Sequence, residues 1–187
     1  MKMLLLSAAF LPLSFGQVAV ADVSGRSEPV RVALETELKK RAPEITPADL
    51  ENVTALKLPH IHIPTFKDND FVGLTKLKKL HFYSLLHNRG RAEDPIAIGN
   101  KVFTPLANLE ELIIMEQLGQ LPDEVFAGLT SLKILDLSNS TLPRLPKSLL
   151  TLPKIEAVYF DGRGMSKDDY ETLKNKLGDK LKAKRPK

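Results

Sequence analysis

The 187-residue sequence contains no cysteine. This absence excludes disulfide bonds, thiolate metal sites and cysteine nucleophiles together. It also bears on the compartment, because small secreted domains of animals usually depend on disulfides, so an exported chain without them is more typical of a bacterial envelope or medium. With 43% hydrophobic and 27% charged residues, the composition is that of a globular protein with a sizeable core.

Recognised catalytic motifs are also missing. The sequence has no G-x-S-x-G elbow, no phosphate-cradling glycine loop and no H-E-x-x-H motif. It also has no paired carboxylates in a setting that would shift the pKa of one of them. We therefore expect neither enzymatic activity nor a cofactor.

Long apolar runs are confined to the N-terminus. Lys2 precedes an apolar run through Phe15, and the small residues Ala19-Val20-Ala21 precede Asp22, as in a secretory signal. The run is shorter than the ~20 residues of a membrane span. We interpret residues 1–21 as a cleaved signal peptide, which predicts a soluble mature protein in the periplasm, at the cell surface or in the medium. An uncleaved anchor is the alternative.

What the sequence does contain is a repeated spacing of leucine-like residues. The pattern L-x-x-L-x-x-L-x-L occurs five times, and its first positions follow one another at steps of 24, 32, 23 and 23 residues. These first positions are Leu50, Leu74, Leu106, Leu129 and Leu152. Neither a helix nor a strand alone has this mixed spacing, but a turn that leads into a short strand does. Self-similarity at this period predicts stacked units with one shared interior.

This pattern resembles the leucine-rich repeat family, whose period is 20 to 29 residues. The resemblance covers Leu50 to Phe160 and implies an α/β fold, a short curved solenoid with one parallel strand per repeat on its concave face. Residues 50–163 would hold five repeats. Many members place asparagine or cysteine after the strand; here that position holds Ile61, Leu85, Gln117, Ser140 and Arg163, so we expect irregular turns.

Residues 22–49 are predicted to cap the first repeat, because a solenoid exposes its apolar interior at both ends. A helix is expected to begin at Ser27, with Lys39, Lys40 and Arg41 in its last turn. A capping box then pairs Thr46 with Asp49. This arrangement resembles the N-terminal caps of exported bacterial leucine-rich repeat proteins, including the internalin-like ones.

Residues 164–187 are predicted to form a C-terminal capping helix and a basic tail. Ser166 and Asp169 form a second capping box. The apolar stripe that follows comprises Tyr170, Leu173, Leu177 and Leu181. Gly178 lies inside this stripe and costs about 1 kcal/mol relative to alanine, so the last turns are expected to fray.

The candidate binding surface follows from strand alternation, because residues i, i+2 and i+4 share a face. The middle column of the concave face is predicted to comprise Lys57, His81, Ile113, Asp136 and Tyr159. Its neighbour comprises Pro59, Tyr83, Met115, Ser138 and Asp161, and the third column comprises Ala55, Lys79, Glu111, Ile134 and Ala157. Aromatic and methionine residues among charges are typical of protein-binding patches. We expect this face to bind a protein or peptide, with ordinary solvated strand positions as the alternative.

The 32-residue step contains nine extra residues, assigned to the segment HNRGRAEDPIAIGNK, residues 87–101. Insertions in solenoids emerge as loops, often on a binding face. Arg89 and Arg91 are therefore added to the predicted binding residues, and Glu93 and Asp94 lie beside them. A tolerated surface loop is the alternative, because a longer loop has a small entropic cost.

The histidines His60, His62 and His81 could in principle hold zinc. No carboxylate joins them at a recognised interval, so we predict no metal site.

The last fourteen residues carry seven basic side chains, namely Lys174, Lys176, Lys180, Lys182, Lys184, Arg185 and Lys187. A solvated terminus is the plain interpretation, and weak contact with an anionic surface is the other. Nucleic acid is not expected as a partner, since the segment lacks stacking aromatics and the chain is predicted to be exported. The tail supports an alternative function, that of a structural envelope protein attached through its basic C-terminus.

Overall fold

A single six-stranded parallel sheet forms the centre of the protein. The structure, a computed structural model, describes residues 22–59, 65–83, 96–115, 118–138 and 140–183. The strands follow chain order across the sheet: β1 Ala55–Leu58, β2 Lys79–Tyr83, β3 Glu111–Met115, β4 Ile134–Asp136, β5 Ala157–Tyr159 and β6 Leu181–Lys182. The described α-helices are α1 Glu28–Leu38, α2 Pro47–Glu51 and α3 Lys167–Leu177, so the fold is of the α/β class.

Equivalent positions of the repeated pattern lie in register across neighbouring strands. The third leucine-like position of each unit pairs with its counterparts in one row, Leu56, Leu80, Leu112, Leu135 and Val158. Leu181 of β6 continues this row beyond Val158. The predicted alignment of the strand positions is therefore confirmed, and the sixth strand extends it.

The apolar core lies on one face of the sheet, between the strands and the segments that return from one strand to the next. Leu74, Leu106 and Leu129, the first positions of three units, are at most 1% exposed. Phenylalanines from successive returns stack, with ring centroids 6.0 Å apart for Phe71–Phe103 and 6.3 Å apart for Phe103–Phe126. This aromatic column joins one layer of the core to the next.

The first helix is shorter than its sequence suggests. Pro29 lies in its first turn and Val30 and Leu34 are buried, as expected, but the helix ends at Leu38 because Lys39 takes a left-handed conformation with φ 52°. The prediction that Lys39, Lys40 and Arg41 form its last turn is therefore wrong. A short 3-10 helix, Ala42–Glu44, follows.

The capping box before α2 is confirmed. The hydroxyl of Thr46 accepts a hydrogen bond from the Asp49 backbone N–H at 3.2 Å, and the Asp49 carboxylate accepts one from the Thr46 N–H at 2.8 Å. Because Pro47 lies at the start of the helix and lacks an N–H, it leaves no orphan donor there.

A buried carboxylate ties the N-terminal segment to the first return. Asp70 is fully buried and accepts hydrogen bonds from the Ser27 backbone N–H at 2.7 Å, the Ser27 hydroxyl at 2.8 Å and the Lys67 backbone N–H at 2.8 Å. The guanidinium of Arg26 donates to the carbonyls of Asp70 and Val72, each at 2.6 Å. The residues that precede α1 are thus held by backbone and side-chain groups more than forty positions away.

The C-terminal segment departs from the predicted helix. Ser166 caps the helix as predicted, because its hydroxyl accepts from the Asp169 N–H at 3.1 Å, but this hydroxyl also donates to the Asp169 carboxylate at 2.6 Å in place of the backbone bond that would complete a capping box. However, α3 ends at Leu177, where Gly178 takes φ 54°, and a 3-10 helix, Gly178–Lys180, leads into β6. The prediction that the helix continues through Leu181 is therefore wrong, because Gly178 takes a positive φ that is incompatible with an α-helix and that glycine adopts readily.

The described part of the predicted insertion belongs to the core. Ile96 and Ile98 are 5% and 4% exposed, and Ile96 forms a parallel bridge with Leu118 while Ala97 forms one with Thr65. The prediction that 87–101 projects as a loop is therefore wrong for Ile96 and Ile98, whereas residues 99–101 are exposed. The rest of that loop, including Arg89 and Arg91, lies outside the described residues, as does the predicted signal peptide. Across the ranges given above, no helix combines the length and apolarity needed to cross a membrane.

Candidate functional site

The face of the sheet opposite the core, here called the outer sheet face, brings the predicted middle column together. Parallel pairing places Lys57, His81, Ile113, Asp136 and Tyr159 side by side on consecutive strands. Lys182 of β6 pairs with Tyr159 and adds a sixth member that the sequence did not predict. The sequence did not predict this position of Lys182 because Gly178 was interpreted as a weak point inside the C-terminal helix. In the structure the helix ends just before Gly178.

The centre of the outer sheet face is buried, which corrects the expectation of an accessible column. Ile113 is 4% exposed and Asp136 is 1% exposed. Both residues lie on inner strands, so neighbours flank them on two sides at the ~4.8 Å strand spacing. Neither is available to a partner unless the surface rearranges.

His81 and Glu111 form an ion pair between β2 and β3. The Nε2 atom of His81 lies 2.6 Å from Oε1 of Glu111, and the two side chains are 11% and 14% exposed. Histidine is the side chain whose charge ordinarily changes nearest neutral pH, so the strength of this pair depends on its protonation. The contact uses one ring nitrogen of His81 and one carboxylate oxygen of Glu111, and both side chains are largely buried, so little of either is accessible to a ligand.

The two aspartates predicted to bind a ligand are engaged in local hydrogen bonds. Asp136 accepts from the backbone N–H of Ser138 at 3.0 Å and from its hydroxyl at 2.7 Å. Asp161 accepts from the backbone N–H of Arg163 at 3.1 Å and from its Nε at 2.8 Å. Each carboxylate thus closes a turn two residues further on, as aspartate commonly does after a strand.

The accessible charge of the outer sheet face is positive. Lys57, Lys79 and Lys182 are exposed, and the ion pairs between described residues include none of them. Met115 and Tyr159 are half-buried on the strands between them. The backbone of Tyr83 pairs with that of Met115, while the side chain of Tyr83 lies outside what the structure describes.

Lysines that directly precede the strands behave differently. Lys133 and Lys78 contact the two carboxylate oxygens of Glu110 at 2.7 Å and 3.2 Å. Hydrogen bonds from Lys133 and then Lys78 hold the pKa of Glu110 below its ordinary value, and Glu110 in turn raises the pKa of Lys133. Lys78 and Lys133 are therefore paired with a carboxylate. The exposed lysines of the outer sheet face have no such partner among the described side chains.

A metal centre finds no support among the described residues. They contain no group of three or more histidine, cysteine, aspartate or glutamate side chains placed to hold an ion. His60 and His62, which the sequence suggested beside His81, lie outside the described residues.

No protein-family model matches the sequence, and no curated protein matches it significantly.

Proposed function

We propose that the protein is an exported, non-enzymatic recognition module of the leucine-rich repeat type, which binds a protein or peptide through the outer sheet face. The repeat assignment is supported by strands that pair only with their neighbours in the chain and by a leucine row in register from β1 to β6. In such a solenoid the outer sheet face is the concave surface. The apolar N-terminal run supports export through a cleaved signal peptide.

The single observation that carries the binding proposal is the alignment of accessible side chains across the outer sheet face. Met115 and Tyr159 expose part of their apolar surface at the sheet, and exposed lysines lie on strands to either side. Partly exposed methionine and tyrosine side chains surrounded by charges are the composition that protein interfaces favour. Since Ile113 and Asp136 are buried, these accessible residues are the ones on which a partner would depend.

The test uses the mature chain, residues 22–187, to capture a partner from an envelope extract. The partner is then identified and purified, and its affinity is measured by calorimetry. We expect the double substitution Met115→Ser and Tyr159→Ser to weaken binding at least tenfold, because two anchors in one interface commonly contribute that much. The control is Leu150→Ser, which removes a 41% exposed leucine from the 3-10 helix Lys147–Thr151.

Circular dichroism must show that each variant retains its fold. If the double variant and wild type bind with equal affinity, the outer sheet face is not the binding surface. Attachment through the basic C-terminus is tested by deleting residues 184–187, a change that leaves β6 in place. Release of the protein from envelope fractions by this deletion alone would favour the structural alternative.

A further inference from the structure

On the outer sheet face the acidic side chains have partners within the protein, whereas the lysines are exposed to solvent. This difference indicates which charge a binding partner would carry. The described carboxylates of this face contact partners within the protein: Glu111 and Asp136 are largely buried against His81 and Ser138, and Asp161, which is partly exposed, pairs with Arg163. Its exposed lysines, Lys57, Lys79 and Lys182, extend into solvent. An approaching molecule therefore meets cations first.

The lysines lie at the two ends of the sheet rather than at its centre. Lys57 and Lys79 lie on β1 and β2, and Lys182 lies on β6. Four strand spacings of ~4.8 Å separate β2 from β6, which is about 19 Å. An extended chain advances ~3.3–3.6 Å per residue, so about six residues of a peptide cross this distance.

We propose that the outer sheet face recognises an acidic peptide segment that crosses the strands, with carboxylates near both ends and an apolar residue between them. The terminal carboxylates would contact the lysine pair on β1 and β2 and the lysine on β6. The apolar residue would lie on Met115 and Tyr159, which occupy β3 and β5. Complementary charge of this kind selects a partner and speeds its association. This inference rests on the proposed function and names the chemistry of the partner.

The test is selection from an unbiased phage library of twelve-residue peptides on the immobilised mature chain. We expect the enriched peptides to carry a net negative charge and at least one large apolar residue. One enriched peptide is then synthesised and its Kd is measured at low and at physiological salt. Affinity should fall as salt rises, because the contacts are exposed ion pairs.

Two charge-reversal variants with the same change in net charge separate a local effect from a global one. Lys57→Glu with Lys79→Glu should weaken the peptide about tenfold, because two exposed attractions become repulsions. Lys101→Glu with Lys154→Glu alters exposed lysines outside the strands and should change the Kd less than twofold.

The outcomes distinguish the two proposals. Enrichment of neutral or basic peptides that still lose affinity on Tyr159→Ser would overturn the acidic-partner inference and leave the recognition function standing. Equal weakening by both charge-reversal pairs would also overturn it, because net charge alone would then explain the attraction. If the library contains no peptide that the protein enriches, peptide recognition itself is wrong.

Discussion

Replacement of Asp70 by alanine should destabilise the protein more than almost any other single polar substitution. The carboxylate is fully buried and accepts three hydrogen bonds, from the N–H and hydroxyl of Ser27 and the N–H of Lys67. Removal of the carboxylate leaves the backbone N–H groups of Ser27 and Lys67 without their acceptor. Each such buried or partly buried donor lowers the free energy of unfolding by about 1–3 kcal/mol. The Ser27 hydroxyl can rotate toward another acceptor.

Arg26 adds an electrostatic cost to the same substitution. Its side chain is largely buried, and burial lowers the pKa of its guanidinium, while the nearby charges of Asp70 and Asp22 raise it. Arginine stays protonated in proteins, so loss of Asp70 leaves a buried cation with less compensation. Arg26 contacts the backbone carbonyl of Asp70, which the substitution keeps, so the two orphaned backbone donors dominate the loss; with the weaker charge balance at Arg26 we take about 3–5 kcal/mol as the total.

Urea unfolding followed by circular dichroism measures this loss. A destabilisation of about 3–5 kcal/mol corresponds to a fall in Tm of roughly 6–20 °C for a domain of this size. The control is Asp68→Ala, a neighbouring exposed carboxylate, which should change stability by less than about 0.5 kcal/mol. A loss below about 1 kcal/mol for Asp70→Ala would refute the reasoning, since it would show that the buried donors and the arginine find other partners.

Two further predictions concern the caps. Gly178→Ala should destabilise the protein by about 1–2 kcal/mol, because its φ of 54° disfavours a side chain although the space around it is open. Hydrogen exchange should then show lost protection at the Phe160 amide, which donates to Lys182 at 3.0 Å; Gly99→Ala, where φ is ordinary, should be near neutral. Asp49 has a pKa lowered to about 2, first by a hydrogen bond from Lys40 and then by Thr46. Its contribution to stability is therefore present above its ordinary pKa of 3.8 and lost as pH falls through about 2, and Lys40→Met should raise the Asp49 pKa in an NMR titration. An unchanged pKa would contradict this account.

Local rules in the sequence were sufficient for β1 to β5 and for the residues that cap α2 and α3. The two leucine-like positions of each L-x-L unit predict which residues enter the core, because alternation is a property of the strand itself. The capping box at Thr46–Asp49 and the cap at Ser166 were likewise recognisable, since each depends on residues three positions apart. These features need no knowledge of distant contacts.

The errors arose where conformation or burial depends on more than local pattern. Lys39 ends α1 in a left-handed conformation that lysine seldom adopts, so no sequence rule marks it. Burial of Ile113 and Asp136 depends on neighbours from strands more than twenty residues away. The acidic residues of the candidate site were therefore overestimated as contacts for a partner, and the exposed Lys182 was missed because it lies on a strand that the helical pattern concealed.

Each described strand pairs only with the strands before and after it in the chain, so no strand lies between two that are consecutive in sequence. Duplication or loss of one strand together with its return would lengthen or shorten the molecule without altering any distant pairing. Such a change would move the cationic ends of the surface apart or together by one strand width, and so would alter the length of the peptide proposed to cross it.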